Sequence, residues 1–187
     1  MRKITSDIEN PIDDIIIYIA DRSSEIYKNM GLTPNHITTI SLICNILSAV
    51  LLYYDRKYMS ALMFMIGYYF DCADGFYARK YDMVTTFGDY YDHINDQLKI
   101  LIILYVMYIK SSCKFFNILP IIMSLTLLSI IHLGCQEKVY GKEESPTLDG
   151  LKHLCSVRDN AIQSMKITKY FGTGTLMVCF AFLIMTF

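Results

Sequence analysis

The sequence contains no tryptophan, no cysteine pair of the CxxC type and almost no net charge. Its six cysteines lie far apart in the chain, so we expect no zinc site and interpret most of them as small buried apolar side chains. The formal charge of −1 does not indicate a strongly charged partner, and we expect no nucleic-acid partner. The first residues, MRKITSDIENPIDD, lack the apolar core of a signal peptide, so we expect later apolar segments to direct membrane insertion.

Hydrophobic residues make up 53% of the 187 residues, and they are grouped in blocks instead of being scattered at helical or strand spacing. Blocks of this length are typical of membrane spans. Thr33 and Pro34 suit the N-cap and the first position of the first span. The sequence therefore predicts an all-α integral membrane protein, a single domain over residues 1–187 with a bundle of five to six transmembrane helices. The five clear spans are at about 36–54, 58–78, 88–109, 115–134 and 167–187.

Residues 10–30 mix apolar and charged side chains at helical spacing. We predict an amphipathic helix that lies in the membrane interface ahead of the spans. The alternative is an amphipathic helix of a soluble domain, which the apolar blocks that follow make less favourable. The apolar face consists of Ile15, Ile16, Tyr18, Ile19 and Ile26, and the largely opposite polar face consists of Asp21, Arg22, Glu25 and Lys28.

The distribution of Lys and Arg predicts how the spans are oriented. Segments 1–35, 79–87 and 136–169 contain 12 of these residues, whereas the short loops 55–57 and 110–114 contain 4. Basic residues near the ends of spans favour the cytosolic side of a membrane. We therefore expect a multi-pass protein whose N-terminus and whose segment 79–87 are cytosolic.

The segment 71–96 reads DCADGFYARKYDMVTTFGDYYDHIND and places six aspartates among the most apolar parts of the chain. Residues three or four apart share a face of a helix. Asp71 and Asp74 therefore share a face of the second span, and the same spacing rule applies to Asp92 and Asp96 on the third. We expect a turn at 80–87 to make the two spans antiparallel neighbours, so that the four carboxylates can converge near the cytosolic surface.

Carboxylates that converge inside a membrane protein are costly unless they are paired. Only Arg79 and Lys80 are close in sequence as counter-charges. Carboxylate oxygens in this number suit a hard divalent cation such as Mg²⁺ or Mn²⁺, and four carboxylates can hold two ions.

Small residues lie beside these aspartates. Gly75 and Ala78 follow the first pair by one turn, and Gly88 precedes Asp92 by one turn. They leave an open floor on which a flat ligand could lie against the backbone, and Arg79 offers a guanidinium suited to phosphate. Together these features describe a site for a nucleotide diphosphate.

Each feature also has an ordinary structural interpretation. Asp82 and Asp89 can be solvated or helix-capping residues. Glycine and alanine within spans more often allow close helix packing than ligand binding. The combination at fixed spacing, more than any single residue, favours a functional site.

The same segment resembles the signature of the CDP-alcohol phosphatidyltransferase family, D-x2-D-G-x2-A-R-x8-G-x3-D-x3-D, at every fixed position. Upstream, the stretch NPIDDIIIYIADRSSEIYKNMGLTPNHIT resembles the family's N-terminal amphipathic helix and the opening of its first span. The resemblance covers residues 10–100. The family usually has six spans, so either the fourth span ends early and a short helix lies inside 147–166, or the chain is an abbreviated member.

The resemblance implies that CMP is displaced from a CDP-linked donor by an alcohol, which gives a phosphodiester and usually a phospholipid. It implies that Asp96 is the general base as well as a metal ligand. The ligands implied for two Mg²⁺ or Mn²⁺ ions are Asp71, Asp74, Asp92 and Asp96. The residues expected at the nucleotide are Asn35, Asp74, Gly75, Ala78, Arg79 and Gly88, with a helix-start role as the alternative for Asn35.

The expected partners are the CDP-linked donor, an alcohol or lipid acceptor and membrane lipids, with a homodimer as an open alternative. For the acceptor, the local DHxxD pattern with His93 and Asn95 resembles choline and ethanolamine phosphotransferases, although His93 could equally be a packing residue. The short chain instead resembles phosphatidylinositol or phosphatidylglycerophosphate synthases. A phosphate-bearing acceptor would require basic residues, for which the candidates are Lys138, Lys142, Lys152 and Arg158. The presence of these residues is also explained if they only keep this segment on the cytosolic side of the membrane.

Two other classes of protein place aspartates in membrane spans. A cation transporter or channel would do so, but it would not require Gly75, Ala78 and Arg79 at their offsets. An intramembrane prenyltransferase also acts on a diphosphate with Mg²⁺, but it would need two distant aspartate-rich motifs and a longer chain.

Overall fold

The structure is a computed structural model that describes residues 5–6, 8–140, 153, 155 and 161–187. Within these ranges all regular structure is helical, which confirms the all-α prediction. A 3₁₀ turn at Lys169–Phe171 joins the last two α-helices. In chain order the α-helices are α1 (Pro11–Asn29), α2 (Pro34–Tyr53), α3 (Lys57–Lys80), α4 (Thr86–Lys110), α5 (Ser112–Tyr140), α6 (Ala161–Thr168) and α7 (Thr173–Thr186).

Three segments of the described chain are helical, long and apolar enough to cross a membrane: Pro34–Tyr53, Ser112–Val139 and Met165–Thr186. Helices α3 and α4, with 24 and 25 residues, are also long enough, but they carry the aspartates of the 71–96 segment. The chain is an integral membrane protein, as predicted. The count of five to six spans stays a prediction.

Helix α1 turns one narrow stripe toward the bundle. Ile16, Ala20 and Ser24, spaced four residues apart, are buried. The other apolar residues of the predicted membrane face are exposed, as an interfacial helix requires: Ile15, Tyr18, Ile19 and Ile26. The prediction that Ile16 belongs to the membrane face is wrong, because this side chain packs toward the bundle.

Polar side chains near the start of α1 hold it against α3 and α7. The amide of Asn10 donates a hydrogen bond to the carbonyl oxygen of Lys169 at 2.6 Å. The carboxylate of Asp13 accepts from the Tyr68 hydroxyl at 2.5 Å and from the Gly174 backbone N–H at 3.1 Å. Burial raises the pKa of the Asp13 carboxyl. These contacts join the two ends of the chain, which sequence periodicity did not indicate.

Helix α2 begins as predicted. The Thr33 side chain accepts a hydrogen bond from the His36 backbone N–H at 3.4 Å, and the His36 ring accepts from the Thr33 N–H at 3.1 Å. This reciprocal arrangement satisfies two donors that a helix start leaves without intrahelical partners. Pro34 follows the cap, where its missing N–H is no loss.

Helices α2 and α3 pack closely along a line of small polar residues. The Ser41 hydroxyl donates to the carbonyl oxygen of Gly67 at 2.8 Å. Ser48 and Ser60 each donate to the other's carbonyl oxygen, also at 2.8 Å. Small residues allow two helix backbones to approach in this way within a membrane.

Helix α2 also supports α4, so it lies against both helices that carry the aspartates. The backbones of α3 and α4 themselves come into close contact at few points. The two helices are therefore neighbours mainly through α2 and through their own side chains.

The main apolar cluster lies at the end of the bundle away from the aspartates. It combines the C-terminal halves of α2 and α4 with the N-terminal half of α3, and α5 and α7 complete it. Its buried members are Ala49, Leu52, Ala61, Phe64, Ile103, Val106, Met107, Ile122, Phe180, Ala181, Ile184 and Phe187.

Helix α5 is longer than the predicted fourth span, since it continues from Ser112 to Tyr140. Helix α5 therefore does not end early, and most of the segment 147–166, where a short helix was expected, lies outside the described residues. A short helix does begin within the polar region, at Ala161, and it ends at Thr168.

The cysteines differ from the sequence interpretation. Cys135 and Cys155 are buried and form a disulfide, so they are not simple apolar side chains. Cys44, Cys72 and Cys179 are free and partly buried, and Cys113 is free and exposed. Distance along the sequence did not exclude pairing, because α6, which follows Cys155, packs against α5.

We predict that Gly67→Ala destabilises the packing of α3 on α2. A Cβ atom at Gly67 would lie 2.2 Å from Nδ2 of Asn45. Asn45 is buried, and its amide already donates to the Ser41 carbonyl oxygen at 2.8 Å, so it cannot move without loss. Overpacking of this kind costs about 1–3 kcal/mol, measurable as a lower thermal unfolding midpoint in detergent. Adding Asn45→Ala should recover part of the loss; an unchanged midpoint for Gly67→Ala alone would contradict the close approach.

Candidate functional site

Three carboxylates meet between α3 and α4. One oxygen from each of Asp71, Asp92 and Asp96 lies within 4.8 Å of the others. All three residues are partly buried. Asp71 comes from α3, and Asp92 and Asp96 come from successive turns of α4, so the sequence spacing does bring these side chains together.

The fourth predicted carboxylate, Asp74, lies beside this group and not within it. It is only 3% exposed. Its Oδ2 atom accepts a hydrogen bond of 2.5 Å from the Thr38 hydroxyl of α2. The same hydroxyl lies 3.1 Å from the carbonyl oxygen of Pro34, so the start of α2 fixes the donor that orients Asp74.

Lys99 supplies positive charge to the carboxylate group. The residue is 3% exposed, and its ammonium contacts Oδ1 of Asp71 and lies 2.5 Å from Oδ1 of Asp96. It lies seven residues after Asp92, hence on the same face of α4.

Of the two counter-charges expected from the sequence, Arg79 lines the same cavity as Asp74, Asp92 and Asp96, whereas Lys80 lies elsewhere. Lys80 pairs with Asp21 of α1 at 2.7 Å and also donates to the Ser24 hydroxyl at 2.7 Å, so it connects α3 to α1. Lys99 could have been found from the sequence, because a lysine inside an otherwise apolar span requires a partner.

Oδ1 of Asp92 is buried and has no hydrogen-bond partner among the described residues. A buried carboxylate oxygen without a partner is costly. The atoms that meet here come from Asp71, Asp92 and Asp96, and carboxylate oxygens are the ligands that Mg²⁺ and Mn²⁺ prefer. The residues present therefore fit a divalent cation.

A cavity of about 600 Å³ adjoins the carboxylates. This volume is typical of small-molecule sites. It is enclosed by α2, α3, α4, α5, α7 and the turn after α3. Every predicted site residue except Asp71 lines it, namely Asn35, Asp74, Gly75, Ala78, Arg79, Gly88, Asp92 and Asp96.

The glycines of the cavity lie where other side chains approach the backbone. A Cβ atom at Gly75 would lie 3.2 Å from Nη1 of Arg79, so the guanidinium rests over this glycine. A Cβ atom at Gly88 would lie 3.3 Å from Oδ1 of Asn35 and 3.0 Å from the Thr85 hydroxyl. Thr85 caps α4 by accepting from the Gly88 N–H at 3.0 Å. The cleared floor is thus covered by polar side chains that a ligand can use.

The residues considered for the acceptor separate into two groups. His93 lines the cavity, and its Nδ1 atom lies 2.8 Å from the carbonyl oxygen of Asp89. Asn95 is 4% exposed and does not line the cavity. Gln97, which the sequence did not single out, does line it.

The basic residues proposed for a phosphate-bearing acceptor find little support in the described chain. The Lys138 ammonium donates to the carbonyl oxygen of Cys155 and does not line the cavity. Lys142, Lys152 and Arg158 lie outside the described residues.

Clustered carboxylates beside a ligand-sized cavity, in a helical membrane protein, are typical of membrane proteins that bind charged substrates. Within that class, the chain belongs to the CDP-alcohol phosphatidyltransferase family, which matches residues 31–186. The family uses divalent metals.

Several named relatives match parts of the chain. An archaetidylinositol phosphate synthase of Pyrococcus horikoshii is 25% identical over 98 residues, which is 52% of this chain and 48% of the relative. A CDP-diacylglycerol–glycerol-3-phosphate 3-phosphatidyltransferase of Rickettsia typhi is 39% identical over 69 residues, 35% of this chain and 38% of the relative. The Rickettsia bellii protein of the same name is 35% identical over 83 residues, 42% of this chain and 45% of the relative. The chain thus spans half or less of the length of these relatives.

No solved structure matches this chain. Membership of the family favours a transferase over the transporter and prenyltransferase alternatives.

We predict that Thr38→Val destabilises the metal-free protein. The substitution keeps the shape of the side chain but leaves the buried Oδ2 atom of Asp74 without its donor. A buried acceptor that loses its partner costs about 1–3 kcal/mol, measurable by thermal unfolding in EDTA. Thr38→Ser retains the hydroxyl and is the matched control; equal midpoints for the two variants would show that this hydrogen bond does not stabilise the fold.

Proposed function

We propose that this protein transfers a substituted phosphate group from a CDP-linked donor to an alcohol and releases CMP, in the synthesis of a phospholipid. The observation that supports this best is the carboxylate group beside the cavity: an unpartnered Asp92 oxygen adjoins a floor made by Gly75, Ala78 and Gly88. Family membership supports the same reaction. The names of the relatives favour CDP-diacylglycerol as the donor.

In this proposal the cytidine lies on the floor of the cavity. Gly75 and Ala78 leave the backbone of α3 accessible, and Asn35 offers an amide oxygen beside Gly88. Arg79 donates to a phosphate of the donor with its planar guanidinium. Asp74 borders both the floor and the carboxylate group.

Asp71, Asp74, Asp92 and Asp96 are the ligands for the divalent ions, Mg²⁺ or Mn²⁺, and two ions match their number. When bound, such ions stabilise negative charge on a diphosphate and on departing CMP. The protein's part is to hold four carboxylates on two helices so that this charge meets the donor in a fixed orientation.

Asp96 is the proposed general base. Its side chain is 38% exposed, compared with 16% for Asp71, so an approaching hydroxyl can reach it more easily. The carboxylate accepts the proton of the alcohol while the oxygen attacks phosphorus and the bond to CMP breaks. His93 and Gln97 border the cavity nearby and are the side chains available to orient the acceptor.

The membrane arrangement is proposed from charge and hydropathy. Five to six spans, with the turn after α3 on the cytosolic side, put the cavity near the cytosolic face, where a CDP-linked donor is available. A homodimer is compatible with the exposed apolar residues of the bundle.

We predict that Asp96→Asn retains donor affinity while turnover collapses, whereas Asp71→Asn loses both. Asn at position 96 keeps the shape and an oxygen but cannot take a proton. An interaction made only in the transition state affects turnover and not ground-state binding. Loss of a general base costs on the order of a hundred- to ten-thousand-fold in rate. CMP release and calorimetric affinity for CDP-diacylglycerol, both in Mn²⁺, measure the two effects.

Asp82→Asn is the matched control for this pair. Asp82 belongs to the same segment, is exposed, and has a φ of 54°, which asparagine tolerates. It should keep wild-type affinity and turnover. Near-normal turnover by Asp96→Asn would refute the base assignment, and absence of CMP release by the wild-type protein with every CDP-linked donor would refute the proposed function.

We predict that Gly75→Leu abolishes binding of CDP and leaves Mn²⁺ binding largely intact. A leucine side chain would fill the floor and displace the Arg79 guanidinium, whose Nη1 atom is 3.2 Å from the Cβ position. The readouts are protection from thermal unfolding by CDP in Mn²⁺ and, separately, Mn²⁺ affinity. Gly75→Ala should have a smaller effect; unchanged CDP protection in folded Gly75→Leu would count against a nucleotide on this floor.

A further inference from the structure

A buried lysine of α4 reaches the carboxylate group. The Lys99 ammonium contacts Oδ1 of Asp71 on α3 and Oδ1 of Asp96 on α4. It is therefore bonded to two of the three carboxylates that meet within 4.8 Å. The third, Asp92, retains an oxygen without a partner among the described residues.

These contacts matter because the carboxylates must lie close together in the folded protein before a metal ion binds. Three carboxylates at this separation repel one another strongly in a poorly solvated place. A single buried ammonium offsets part of that repulsion and connects α3 to α4, whose backbones have few close contacts of their own. Lysine is suited to this because its flexible chain lets the charge move away again.

We propose that Lys99 is an internal counter-cation: its ammonium holds Asp71 and Asp96 together in the metal-free protein and competes with the divalent cation for their oxygens. This inference rests on the proposed function, because it takes these carboxylates as the metal ligands. Lys99 is a positioning residue in this role, since it acts through the carboxylates.

A purely structural ion pair would behave differently. If Lys99 only joined two helices, its removal would loosen the carboxylates and weaken metal binding. If it competes with the cation, its removal makes the metal-free protein less stable but metal binding tighter. The two roles therefore predict opposite changes in affinity.

The test is the affinity of the purified full-length protein for Mn²⁺, measured by electron paramagnetic resonance without donor or acceptor, and the unfolding midpoint in EDTA. For Lys99→Met we expect a lower midpoint in EDTA and a Mn²⁺ affinity on the order of tenfold to a hundredfold higher than wild type. This change is equal in size but opposite in sign to the loss that usually follows removal of a supporting partner of a metal ligand. Saturating Mn²⁺ should restore the midpoint.

Lys110→Met is the matched control. Lys110 lies on the same helix and pairs with Asp55 at 2.8 Å, at the opposite end from the carboxylates. It should leave Mn²⁺ affinity unchanged. Lys99→Arg, which keeps a cation, should not gain affinity.

If Lys99→Met does not fold without metal, Lys99→Gln is measured in its place, since it can still donate a hydrogen bond but carries no charge. Equal or weaker Mn²⁺ binding by the neutral variants than by wild type would overturn the inference and leave the proposed function intact. Absence of Mn²⁺ binding by wild type and neutral variants alike would instead refute the metal site itself, and the inference with it.

Discussion

Burial of several carboxylates between two helices is the constraint on which the rest of this structure depends. Carboxylates at this distance inside a membrane protein require positive charge, and the Lys99 ammonium supplies part of it to Asp71 and Asp96. Even with Lys99 in place, Asp92 keeps a buried oxygen that has no hydrogen-bond partner in the described chain. A divalent cation is chemically suited to bind beside this unpartnered oxygen.

The surrounding helices make different contributions to the position of these carboxylates. Helix α2 lies against both α3 and α4, and it donates the Thr38 hydroxyl that orients Asp74. The apolar cluster lies at the other end of the bundle, so that packing stabilises the helices without filling the space between the carboxylates. Helix α1 is held by polar contacts through Asn10 and Asp13 to the last part of the chain.

The cavity shows why glycine and arginine occur together in the 71–96 segment. Because Gly75 has no side chain, the Arg79 guanidinium can lie directly over this residue. A ligand that enters the cavity would therefore meet the Arg79 guanidinium above the backbone of α3. The same relation joins Gly88 to Asn35, so that α2, α3 and α4 all contribute to the lining of one cavity.

Local rules allowed the sequence to predict the helices and the faces of the carboxylates. Apolar blocks, the Thr33 cap and the three- and four-residue spacing of the aspartates each depend on short stretches of chain, and helices obey such rules closely. The resemblance added the chemistry that the spacing alone could not identify. The partners of these residues depended instead on contacts between segments that are distant in sequence. That Lys99 and not Lys80 reaches the carboxylates, that Asn95 is turned away from the cavity, and that Cys135 meets Cys155 were decided by how the helices pack, because packing sets the distance between groups that no local pattern relates.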